Sequence, residues 1–160
     1  MDYIMRSEKD INIQWLNQLL TGGVCYKTVL DEDGIIHLVG HDVIVELKSQ
    51  FTHEITATVT INIFPRNFEG ASSEIIFMQV IGWVNELNKS LRFSRATCSM
   101  DEFGDRIWVT LCLTVPFAPW LYVNMFAKVL REFVSFEKKR AVELIQEKVA
   151  QLPYRAIPPC

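Results

Sequence analysis

Four cysteines, at positions 25, 98, 112 and 160, form no CxxC pair anywhere in the 160 residues, so the signature of a zinc knuckle or a dithiol redox centre is missing. In a chain expected to be cytoplasmic these thiols read as reduced. Cys25, Cys98 and Cys112 lie in strand-like runs as small buried hydrophobes, and Cys160 is an exposed terminal thiol. Histidine is equally scarce. His37, His41 and His53 fall near Asp42, Glu46 and Glu54, but no second pair of ligands follows at a short fixed offset, so surface positions in hairpins are expected and no metal site. The seven glycines stand singly or as Gly22-Gly23, which excludes the phosphate loop and the dinucleotide fingerprint, and neither GxSxG nor HExxH occurs.

No apolar run approaches the roughly 20 residues of a membrane helix, and the opening MDYIMRSEKDINIQ has no signal-peptide core. A cytoplasmic location without membrane contact is therefore expected. Charge of one sign is lacking too. Sixteen basic and nineteen acidic residues give a net charge of -3, which does not attract a polyanion. Arg92, Phe93, Arg95, Arg106 and Trp108 mix cations with aromatics, but without a recognised RNA-binding motif no nucleic-acid partner is expected. The acid pairs Asp31/Asp33 and Asp101/Asp105 occur in DEDG and DEFGD, which have the composition of hairpin turns. No catalytic residue and no cofactor is assigned.

What is present is a globular balance, 49% hydrophobic and 22% charged, at about the length of one domain. Such a chain buries enough surface to need neither metal nor disulfide. Ser7 with Asp10 predicts the start of a first helix, Ile11, Trp15, Leu16, Leu19 and Leu20 give its apolar face, and Gly22-Gly23 is read as its left-handed stop. VCYKTVL and IIHLV bracket DEDG as a hairpin, followed by DVIVEL and EITATVTINIF. In the last run Ile55, Ala57, Val59, Ile61 and Ile63 alternate with Thr56, Thr58, Thr60 and Asn62, the period of a sheet with one buried face. Ser72 or Ser73 is placed to cap a second helix reaching about residue 88. RFSRATCSM and RIWVTLCLTV flank DEFGD as a second hairpin, and Pro119 suits the first turn of a third helix.

The order α-β-β-β(-β)-α-β-β-α predicts an α+β fold on an antiparallel sheet. One domain spans 1-152, and 153-160 form a proline-rich, poorly ordered tail. In the third helix Tyr122, Met125, Phe126, Val129, Leu130, Phe133 and Phe136 share one arc. Beyond EKKR at 137-140 the stripe of Ala141, Val142, Leu144, Ile145 and Val149 is rotated by well over a quarter turn. One straight helix cannot bury both, so a kink or restart near 137-140, or packing against a second subunit, is required. EKKR is read as a solvated face or as a contact for an acidic partner surface. The second helix has the core stripe Ile76, Val80, Trp83, Val84 and Leu87, and leaves Ile75, Met78 and Gly82 on its back. With Leu144, Ile145 and Val149 these form the candidate interface.

From residue 83 the run WVNELNKSLRFSRATCSMDEFGDRIWVTLCLTV resembles the YbjN family, whose members are similar in fold to type III secretion chaperones. The resemblance rests on Asn85 and Asn88 at a helix end, the FSRA strand with Phe93 and Arg95, the acidic-glycine hairpin and the closing aromatic helix. It implies a compact α+β protein, commonly a homodimer, without known enzymatic chemistry and with a regulatory or protein-binding role. The expectation is a non-enzymatic module that pairs with itself and with a protein partner, an extended segment at a sheet edge being one mode. The alternative is a small-molecule binder or enzyme with a pocket between sheet and helix.

Overall fold

The computed structural model describes residues 4–156; Cys160 and the last residues of the expected tail lie outside the described residues. The alternating runs form one antiparallel six-stranded sheet in the order β2-β3-β4-β5-β8-β7. Its strands are β2 (Thr28–Leu30), β3 (Ile36–Leu38), β4 (Val43–Lys48), β5 (Glu54–Ile63), β7 (Ser94–Met100) and β8 (Ile107–Pro116). Asp31 organises the first hairpin. Its carboxylate accepts from the amides of Asp33 and Ile35, and Gly34 takes φ +78°, a conformation that favours glycine. Gly104 does the same, at φ +71°, in the DEFGD turn.

Period-two alternation decides the faces. Ile55, Ala57, Val59 and Ile63 of β5 are buried together with Ile107, Val109, Leu111 and Leu113 of β8. The opposite face carries Thr58, Thr60, Thr110 and Thr114, the polar side of a sheet covered by helices on one face. The helix α2 (Ser73–Asn88) connects β5 to β7 across β8, capped by Ser72, whose hydroxyl accepts the Ile75 amide at 3.3 Å. Ile76, Val80, Val84 and Leu87 of α2 lie in the core.

The first helix differs from expectation. Ser7 belongs to a short strand, β1 (Met5–Ser7), and α1 (Ile13–Gln18) is capped by Asn12, whose side chain accepts the Trp15 amide at 2.9 Å. An i→i−5 turn, Leu19–Gly23, ends it. The left-handed residue is Cys25, at φ +66°, not either glycine, and this thiol is exposed rather than buried. Pro119 does not start a helix. It follows a cis peptide bond and leads into a strand, β9 (Trp120–Tyr122), which pairs antiparallel with β1.

The third helix is divided. α3 (Val123–Glu132) passes through a π turn, Phe133–Glu137, into α4 (Lys138–Ala150), with the Lys138 amide bonded to the Phe133 carbonyl five residues back. The extra residue in that turn rotates the following sequence by about 100° relative to a regular helix. That rotation brings the second stripe back onto the core. The expected discontinuity is present, and it begins at 133. After α4 the chain pairs Arg155–Ala156 (β10) with Phe68–Glu69 (β6), so the start of the expected tail is held in a short antiparallel contact.

Candidate interaction surfaces

The residues singled out as an interface divide into two groups. Ile75, Met78 and Gly82 lie on the exposed back of α2, where Glu74, Ile75, Met78 and Gln79 line a shallow concavity of about 390 Å³. Ile145 is 2% exposed, and Leu144 and Val149 pack half-buried against the same core. The rephased stripe is therefore satisfied within the chain, which takes Ile145 off the outer surface. Among the aromatic-arc residues, Phe126, Leu130 and Phe133 are buried, but Tyr122, Met125 and Phe136 are exposed. Tyr122 belongs to β9, and Phe136 sits in the π turn, where the helical phase is lost.

EKKR divides: Lys139 and Arg140 are exposed, as a solvated face requires, whereas Glu137 is turned inward. Glu137 is 8% exposed, and its carboxylate accepts from the backbone amides of Arg92, Phe93 and Ser94 at 2.7, 3.0 and 3.1 Å and from the Ser94 hydroxyl at 2.5 Å. Lys138 donates to the His41 carbonyl, Lys139 pairs with Glu143 at 3.7 Å, and Arg140 Nε donates to Ser90 Oγ at 3.0 Å. Helix periodicity hides this. The signal available in the sequence was an acid lodged between two apolar stripes at the point where their phase breaks.

Asn88 and Asn85 have different fates. The Asn88 amide donates to the Ala96 carbonyl at 2.9 Å and accepts the Ala96 amide at 2.8 Å, acting as a one-residue strand on the edge of β7. Asn85 is exposed on α2. Glu137 and Asn88 thus close the β7 edge at Ser94 and Ala96, the positions at which an added strand would pair. Asn88→Ala leaves the Ala96 amide and carbonyl without their partner, at an expected cost of about 2 kcal/mol. Urea unfolding measures it; a change under about 0.5 kcal/mol would contradict this role.

Phe93 and Arg95, the other family-motif residues, point apart. Phe93 joins Arg92, Glu132, Phe136 and Arg140 around an open cavity of about 240 Å³ between the start of β7 and the α3–α4 junction. Arg95 is exposed in register with Cys112 on the polar sheet face. Arg106 and Arg66 stack on Phe64, at 5.6 and 5.7 Å. The cation and aromatic positions of the sequence therefore do not converge.

The histidines do not converge either. His37 bonds Asp31 at 2.7 Å, His41 meets the Tyr26 ring edge at 5.2 Å and His53 meets Phe117 at 5.7 Å. The bond from His37, followed by the Ile35 amide, holds the Asp31 carboxyl below its ordinary value. Burial raises the Cys98 thiol, which lies half-buried on β7. Among the described residues no group of three His, Cys, Asp or Glu side chains is placed to hold a metal ion, and no helix is long and apolar enough to cross a membrane.

A surface absent from sequence reasoning lies on the ribbon of β1 and β9. Met5 faces Tyr122, Arg6 faces Leu121 and Ser7 faces Trp120. Leu121 is buried and Arg6 lies 5.5 Å from the centre of the Trp15 ring, so this side of the ribbon faces the body. Met5, Trp120 and Tyr122 occupy the other side and are exposed. Met125, exposed near the start of α3, follows Tyr122, whereas Ile4, whose carbonyl accepts the Val123 amide, alternates onto the Arg6 side.

No family model matches this chain, and no curated protein does. Among solved structures it is similar to the crystal structure of YbjN from E. coli, described provisionally as a transcription regulator. The TM-score is 0.66, the match covers 92% of this chain and 97% of that one, and the identity is 13%. The chain has a YbjN-like α+β fold.

Proposed function

We propose that this chain is a non-enzymatic protein-binding or regulatory module that works in the cytoplasm as a homodimer. The observation that carries the protein-binding part of the reading is the back of α2. In a helix otherwise packed on the sheet, Ile75 is 50% and Met78 67% exposed, side by side along a shallow apolar concavity. Adjacent exposed apolar side chains on a folded surface mark an interaction site more often than scattered ones do, and the YbjN likeness supports a regulatory role. Affinity isolation from the native cytoplasm tests it. A partner retained by the parent chain and lost with Met78→Asp is the expected result; the same proteins retained by both would contradict it.

A second reading, a small-molecule binder, is favoured by one cavity. Arg92 and Arg140 flank the exposed rings of Phe93 and Phe136 there, with Glu132 and Glu137 also on the lining, a combination suited to a small aromatic ring whose carboxylate meets the arginines. Benzoate is then expected to shift the Phe93 and Phe136 ring resonances at millimolar concentration. Unmoved resonances would end this reading.

A further inference from the structure

We infer that the ribbon of β1 and β9 is the surface on which two copies of this chain meet, an inference that rests on the homodimer reading and names its contact. Met5, Trp120, Tyr122 and Met125 are exposed by 51, 51, 51 and 58%. At half exposure each large side chain offers about 100 Å², so the four offer on the order of 400 Å² of apolar surface, against ~800 Å² per partner in a standard interface of which a little over half is apolar. A polar rim supplies the remainder. On the same reckoning Ile75 and Met78 offer only about 200 Å², a quarter of what a stable pairing needs.

Composition agrees with area. Tryptophan, tyrosine and methionine are the residues enriched at the centres of protein interfaces, where charged side chains are depleted. The ribbon presents two aromatics and two methionines from three short segments, and Leu121 anchors it to the body. A two-stranded ribbon is marginal alone, and covering its outer side against a second copy stabilises it. Two-fold symmetry makes the patch its own complement, with each side chain used twice. The back of α2 then remains free for a different partner.

Size-exclusion chromatography across a dilution series tests the assignment on the full chain. Tyr122→Glu places two charges in the contact and is expected to raise the dimer dissociation constant by more than about tenfold, whereas Met78→Asp leaves it unchanged. The reverse pattern would move the contact to α2, overturning the ribbon assignment and keeping the homodimer reading. A parent chain that stays monomeric would overturn both. A conservative variant covers the case in which Tyr122→Glu fails to fold. The emission of Trp120, obtained as the parent spectrum minus that of Trp120→Phe, is expected to shift to the red as the dimer dissociates. A difference spectrum unchanged through dissociation would overturn the ribbon contact.

Discussion

Replacing Glu137 with alanine is expected to destabilise the fold by about 3–5 kcal/mol, more than an average core truncation. The carboxylate holds three consecutive backbone amides and a hydroxyl at the entrance to β7. Without it the buried Ser94 amide and hydroxyl have no acceptor, and each orphaned group costs about 1–3 kcal/mol. Hydrogen bonds to an ionised acceptor are also the stronger kind. Glu137→Gln keeps one acceptor oxygen but turns an NH₂ toward donors, so an intermediate loss is expected. A thermal melt would show the alanine variant lower by about 10 °C for a domain of this size. A loss under about 1 kcal/mol would contradict the role assigned to this carboxylate.

The second large effect concerns the π turn. Deleting Ser135, an exposed residue inside the turn, is expected to give a continuous α-helix with both apolar stripes still on the core, at a cost of about 1 kcal/mol or less. Deleting Lys139, equally exposed but beyond the turn, is expected to cost about 3 kcal/mol or more. That deletion must either rotate Ala141 and Ile145 out of the core or move Glu137 away from its amides. Urea unfolding of the two deletion variants separates them. Equal losses would show that the turn does not set the phase of α4.

How much was legible in the sequence follows from which interactions have a period. The sheet faces, the extent of α2 and the need for a break in the last helix all express burial repeated every two or 3.6 residues. All three agree with the structure. The DEDG and DEFGD turns were legible because glycine permits φ above zero at Gly34 and Gly104. Single polar contacts have no period. Asn12 rather than Ser7 as the cap, the Glu137 clasp and the Asn88 bridge each depend on one side chain meeting backbone distant in space or offset by a few residues. The ribbon was hidden for another reason. Tyr122 adjoins an amphipathic helix and extends its pattern by chance, while its strand partner Met5 lies more than a hundred residues earlier. Ile145 reads from the sequence as part of an outer stripe, and lies in the core because the π turn restores a phase that the sequence alone shows as lost.

Sedimentation equilibrium of the intact chain at tens of micromolar is the most direct test of the proposal that this protein works by pairing, first with itself and then with another protein. A mass twice the 18.5 kDa of the single chain is the result predicted. A single species at 18.5 kDa throughout that range would contradict it.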